Sequence, residues 1–156
     1  MIARAPSSRS GGARSLARDP QFAIALAAGP LAWIAAATVL GTHADPTWVM
    51  AEPLRFARLA LAWPLLEEWL FRGALQPALA RTAWGARRAW HLSAANAVTS
   101  LVFAAAHLVS HSPEWAAATF APSLLFGYFR ERHQSVTPSA ILHVFYNCGW
   151  FLLFGT

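Results

Sequence analysis

The chain has 156 residues, 56% of them apolar and 12% charged, with a net charge of +5 and a mean hydropathy of +0.38. Soluble domains carry about 25% charged residues, so this composition argues against a water-soluble fold, and the length bounds the chain to one domain. A single cysteine excludes an intramolecular disulfide framework and any multi-cysteine metal site. The cationic side chains are all arginine, which points to a GC-rich, bacterial genome. A high isoelectric point also accompanies nucleic-acid binding. Here the arginines flank apolar stretches and form no basic stripe on a polar helix, so no nucleic-acid partner is expected.

Residues 1–19 place Arg4, Arg9, Arg14 and Arg18 among Ser, Gly and Ala, too little apolar surface to order themselves. A disordered basic tail is expected there, followed by one domain over 20–156. The stretch 21–41 has no charge, and at about 1.5 Å per residue it matches a bilayer core of about 30 Å. A cleaved signal peptide ending near Thr42-His43-Ala44 is the rival reading. The apolar run exceeds a usual signal core and further apolar segments follow, so an uncleaved first helix is preferred.

Four more helical segments are predicted: 54 to about 80, with charges embedded in it; 93–111, containing Asn96, Thr99, Ser100 and His107; 115–129, bent at Pro122; and 138–154, containing His143 and Asn147. Asp45-Pro46, Gly85, Ser112-Pro113 and Thr137-Pro138 mark the breaks. The expected fold is all-α, a polytopic transmembrane bundle of about five spans in a bacterial cytoplasmic membrane. Positive charge alternates between loops: the tail, then Arg81, Arg87 and Arg88, then Arg130 and Arg132. That pattern puts the N-terminus inside, with Arg55 and Arg58 as exceptions. Trp48, Trp84, Trp90 and Trp115 fall at segment ends, as an interfacial aromatic belt requires. His43, His91, His111 and His133 are expected at the interface as well.

The second segment reads Leu66-Glu67-Glu68-Trp69-Leu70-Phe71-Arg72. One charge at a helix centre costs about 2.5–3.5 kcal/mol on insertion scales, so three charges in six residues need compensation. Glu68 and Arg72 stand at i, i+4 and can pair along one face. Glu67 points about 100° away and lacks that partner, which suits a general acid or base. On the third segment Asn96, Thr99, Ser100, Phe103 and His107 share one stripe, which can equally be an interhelical hydrogen-bonding seam. On the fifth, His143 and Asn147 share a face with Ser139 a turn earlier. Two histidines, a Glu pair and an Asn on three apolar helices are more than packing histidines explain.

Glu67-Glu68-x-x-x-Arg72, Phe103-x-x-x-His107 and His143-x-x-x-Asn147, in that order, resemble the three motifs of the CPBP family, the CAAX-prenyl-protease and bacteriocin-processing (Abi) intramembrane proteases. The resemblance covers about residues 54–154. It implies peptide-bond hydrolysis within the bilayer on a membrane protein or peptide substrate. Carried over, Glu67 would activate water with help from His107, and His143 and Asn147 would stabilise the oxyanion. Arg72 would orient the carboxylates, Glu68 would be its partner or a secondary catalytic group, and Phe103 would pack. The stretches 110–115 and 122–128 resemble small proteases attached to bacterial C-terminal sorting signals, the JDVT-CTERM system. There the substrate carries a C-terminal motif, a transmembrane helix and a basic end. Ser123 and Gly127 also read as small residues that let helices approach closely.

Glu67, His107 and His143 could supply the three protein ligands a catalytic zinc takes. No His-Glu-x-x-His motif is present, and the resemblance favours a glutamate mechanism with no cofactor, zinc being the alternative. Cys148 faces away from Asn147 and reads as a small buried residue. A non-enzymatic immunity or scaffold protein and a proton pathway are the competing functions. The intact Glu67 weighs against the first, and the clustering of titratable groups weighs against the second. His107 lies about 21 Å along its helix from Ser93, and His143 about 7–8 Å from Pro138. The two can meet only if the 81–88 hairpin protrudes beyond the other helix ends, with Arg87 and Arg88 outside.

Overall fold

The structure is a computed structural model that describes residues 16–40 and 45–155. The basic tail up to residue 15, the cleavage-like Thr42-His43-Ala44 and Thr156 lie outside the described residues. Among the described residues the fold is all-α, about 80% helical. After a 3₁₀ turn at Leu16–Arg18, helix α1 runs Pro20–Leu40, and α2 is Thr47–Ala51. Residues 53–80 then form one unbroken helical path that alternates in kind: α3 Pro53–Ala57, a π-helical turn Arg58–Ala62, α4 Trp63–Glu68, a longer π-helical stretch Trp69–Leu75, and α5 Gln76–Ala80. The residues at each junction keep helical backbone angles. A small hairpin pairs β1 Arg88–Ala89 with β2 Leu92–Ser93, antiparallel. Then come α6 Ala94–His107, α7 Pro113–Ala118, α8 Phe120–His133 and α9 Thr137–Phe154.

Among the described residues, no helix is long and apolar enough to cross a membrane. The expected segments differ accordingly. The second is divided by its π-helical turns. The third ends at His107, where 108–110 turn. The fourth breaks at Thr119 rather than bending at Pro122, because a proline needs no N–H in the first turn of a helix and α8 starts at Phe120. Ser93 caps α6, its hydroxyl accepting from the Asn96 amide at 2.9 Å. Arg87 and Arg88 are exposed, as the hairpin expectation requires.

Helix α6 packs on α8, α8 on α9, and α9 on both α1 and the 53–80 path. The α6–α8 contact is close because residue 127 is glycine: a Cβ there would lie 1.9 Å from Asn96 Oδ1. This bears out the small-residue reading of Gly127. Phe22, Ala25, Phe126, Phe129 and Leu142 form an apolar core between α1, α8 and α9.

At the start of the described residues, the turn Leu16–Arg18 leads into Asp19. Asp19 is buried and accepts from the Gln21 amide at 3.1 Å, from Arg132 Nε at 2.5 Å and Nη2 at 3.1 Å, and from His133 Nε2 at 2.9 Å. The Arg132 guanidinium above all holds the Asp19 carboxyl down at about 2. His133, expected at an interface, turns its side chain onto this carboxylate.

Candidate active site

The site begins with Glu68 and Arg72, one turn apart on the 53–80 path and both fully buried. Arg72 Nη1 donates to Glu68 Oε1 at 2.8 Å. A buried ion pair loses solvation that further hydrogen bonds must offset. Arg72 Nη2 donates to Ser123 of α8, at 2.6 Å to the hydroxyl and 3.0 Å to the carbonyl, while Arg72 Nε and Glu68 Oε2 have no hydrogen-bond partner among the described residues. The guanidinium carbon lies 4.7 Å from the Phe103 ring centroid, 5.5 Å from Phe126 and 6.0 Å from Phe71, an aromatic cage that suits a weakly hydrated cation.

His143 of α9 joins the two carboxylates. Its Nδ1 lies 2.9 Å from Glu68 Oε1, the oxygen that also takes Arg72. Its Nε2 lies 3.6 Å from Glu67 Oε2. The sequence expectation of Glu67 turned about 100° away from Glu68 is compatible with this, since the ring is wide enough to meet one residue at each nitrogen. Phe126 stacks on the ring, centroids 4.8 Å apart and planes 22° apart. An ionised carboxylate only accepts, so Nδ1 carries the proton toward Glu68.

His107 stands across Phe103, whose ring centroid is 4.6 Å from His107 and 5.7 Å from His143. Its Nδ1 donates to the Phe103 carbonyl at 2.9 Å; a neutral ring then leaves Nε2 as an acceptor. Both histidines lie within electrostatic reach of Glu67. Unlike Glu68, the Glu67 side chain is 28% exposed, on a face that also exposes Trp63, Leu66 and Leu70.

Glu67, Glu68, Arg72 and His143 are thus in direct contact, and His107 is one ring away. Asn147, a turn beyond His143, donates to the Leu59 carbonyl at 3.4 Å, inside the first π-helical turn. Ser139 donates to Val136 within its own helix and stays outside the cluster. Cys148 is half-buried beside the Ala60 carbonyl. In the polar stripe of α6, Asn96 Nδ2 donates across to the Leu124 carbonyl at 3.0 Å, Ser100 bonds back to Asn96 at 3.2 Å, and Thr99 Oγ1 has no partner among the described residues. Among the described residues, no group of three or more His, Cys, Asp or Glu is gathered to hold a metal ion.

The sequence gives Ser123 and Phe126 no place in the site, although they contact Arg72 and His143. Phe103, read as packing, is the ring around which both histidines and the arginine meet. The pair Ser123 and Gly127 signals a close helix contact, but nothing in the sequence tells that Ser123 faces a guanidinium 51 residues earlier.

The model of one protein family, the type II CAAX prenyl endopeptidase Rce1-like family, matches residues 48–149. The chain belongs to this family. The match spans every residue of the cluster, from the Glu67-Glu68 pair to Asn147, and leaves α1 outside it. Members of the Rce1-like family are membrane proteins, and the family supports an intramembrane endopeptidase of the CAAX type. No curated protein and no solved structure matches the chain.

Proposed function

We propose that the protein is a multi-pass intramembrane endopeptidase that hydrolyses a peptide bond with a water activated by Glu67. One observation carries this reading: a carboxylate open to the outside of the molecule, on an apolar face, with His143 Nε2 at 3.6 Å and a fully buried Glu68–Arg72 pair behind it. Glu67 takes a proton from water as the new C–O bond forms. His107, with Nδ1 committed to a carbonyl, presents Nε2 to hold that water. Asn147 and His143 face the oxygen on which negative charge develops. The proton on Glu67 then passes to the leaving amine as the C–N bond breaks.

Membrane embedding is supported by an inverted distribution of side chains. Glu68, Arg72, Gln76, Asn96, Thr99 and Ser100 are buried, while Ile24, Leu31, Leu65, Trp69 and Leu101 are exposed. Polar groups facing a bundle interior are the rule inside a bilayer. The loop charges favour a bacterial cytoplasmic membrane with the N-terminus inside. The proposed substrate is a membrane protein cut near a C-terminal sorting signal, following the resemblance of residues 110–115 and 122–128.

The test is cleavage in liposomes of a tail-anchored reporter bearing such a signal, by the wild-type protein and by Glu67→Ala, with and without a zinc chelator. Chelator-resistant cleavage that vanishes in the variant is the expected result. A zinc-dependent enzyme is the second reading, favoured because both histidines donate from Nδ1 to an acceptor, as metal-ligating histidines do; chelator-sensitive cleavage selects it. If a panel of transmembrane reporters is left uncut by folded wild-type protein, the non-enzymatic scaffold takes its place.

A further inference from the structure

Away from the Glu67 cluster, a groove of about 350 Å³ opens between α1, α8 and the β hairpin. Ile24 and Ala28 of α1 and Leu125 of α8 make its apolar walls. Its other end is polar: the Tyr128 hydroxyl donates to Gln21 Oε1, and His91 of the hairpin joins the lining. From Gln21 to Ala28 the groove follows two turns of α1, about 10 Å. Ile24 is 69% exposed, so the groove is open along its length. None of its lining residues belongs to the Glu67 cluster.

The polar end carries charges sorted by depth. Arg132 Nη1 donates to the Tyr128 hydroxyl at 3.4 Å, and Arg88 Nη2 donates to the His91 carbonyl at 2.9 Å, so two guanidinium groups rest on residues of the groove. Their counter-ions lie deeper. Glu131 is 13% exposed where Arg88 is 50%, and Asp19 is 0% exposed where Arg132 is 20%. Arg18, next to Asp19, and Arg87, next to Arg88, are exposed and make no ion pair with another described residue. Four arginines against two carboxylates leave a surplus of positive charge, with the cations outermost. The hairpin tip beside them holds Trp90, 96% exposed, a residue suited to the level of lipid head groups.

We propose that this groove binds one anionic phospholipid of the inner leaflet, with its phosphate at the arginine rim and an acyl chain along Ile24, Ala28 and Leu125. With the N-terminus inside, the start of α1, the hairpin and the end of α8 all lie on the inner side, so the groove runs from a cationic rim into that leaflet. Basic pockets between helices on the cytoplasmic side take anionic head groups, and the guanidinium fork matches phosphate oxygens. The proposal rests on the membrane embedding argued above and is independent of the protease activity.

The experiment is native mass spectrometry of the full chain in detergent, offered phosphatidylglycerol and phosphatidylcholine of identical acyl chains at equal concentration. The wild-type protein is expected to retain one phosphatidylglycerol in preference to phosphatidylcholine. Arg18→Gln is expected to lower phosphatidylglycerol affinity about fivefold, the worth of one juxtamembrane charge, and to leave phosphatidylcholine unchanged. Ala28→Phe places a ring in the groove and is expected to abolish retention. Ala27→Phe, on the same helix but outside the lining, is expected to keep it; both alanines are exposed, so neither ring enters the core. Equal retention of the two lipids overturns the proposal. So does an Ala28→Phe protein that still holds phosphatidylglycerol, or equal loss in both phenylalanine variants. Flotation with phosphatidylcholine vesicles checks the embedding separately. A chain that fails to float removes the embedding and the lipid site together, whereas one that floats without head-group preference removes the lipid site alone.

Discussion

Replacing Gly127 with alanine tests the packing of α6 on α8, the contact that holds Ser123 opposite Arg72. The new Cβ would lie 1.9 Å from Asn96 Oδ1 and 2.5 Å from Asn96 Cγ. Carbon and oxygen need well over 3 Å, so something must move by roughly 1–1.5 Å. Asn96 cannot swing aside freely. It is fully buried, its Nδ2 donates to the Leu124 carbonyl at 3.0 Å, and its Oδ1 accepts from Ser100 at 3.2 Å. Giving up both hydrogen bonds costs about 1–3 kcal/mol each where the groups stay buried. Separating the helices instead costs about 1–3 kcal/mol as overpacking. The cheaper route sets the cost, so the expected destabilisation is about 1–3 kcal/mol. Gly73→Ala is the control: its added Cβ meets nothing closer than 3.8 Å, and a helical glycine replaced by alanine gains about 0.5–1 kcal/mol. Equilibrium unfolding of both variants in mixed micelles, followed by far-UV circular dichroism, measures the difference. A Gly127→Ala protein within about 0.5 kcal/mol of wild type, or a Gly73→Ala protein equally damaged, would refute the reasoning.

Further outcomes are expected elsewhere. Arg72→Met and Glu68→Gln each strand a buried charge and are expected to cost about 3–5 kcal/mol. The double variant is expected to cost less than their sum, by at least about 1.5 kcal/mol in the same unfolding assay; additivity would mean that the two do not interact. The Asp19 carboxyl, held at about 2 against an ordinary 3.8, contributes stability that is complete above its unfolded value and is lost as pH falls toward 2. Asp19→Asn is expected to flatten the acid side of the stability curve between about pH 4 and 2. An unchanged slope would count against the Arg132 clamp.

The catalytic candidates were legible because their spacing is local. Glu68 and Arg72 at i, i+4 pair as one helix dictates, and His143 and Asn147 share a face for the same reason. Ser93 read correctly as a segment start, because a capping hydroxyl acts within three residues. What the sequence hid is either long-range or a matter of backbone register. Ser123 meets Arg72, and Asp19 meets Arg132, only through the fold. The π-helical turns around the Glu67-Glu68 pair leave no periodic trace in a segment that is apolar on nearly every side. His133 at a helix end gives no sign in the sequence that Asp19 stands opposite it.

The residues matched by the family model begin at 48, yet the chain from Asp19 to Trp33 is fastened to them. Asp19 holds Arg132 and His133; Tyr146 donates to the Ala25 carbonyl at 2.6 Å; Trp33 fills the hollow over Gly149 and packs on Phe145. A chain shortened to residues 48–149 would leave two neighbouring basic side chains without their shared counter-ion and strip an aromatic flank from the helix that bears His143. For anyone wishing to miniaturise this protein or graft its signature onto another scaffold, the smallest useful piece reaches back at least to Leu16 and forward past Phe151, whose carbonyl receives the Trp48 indole.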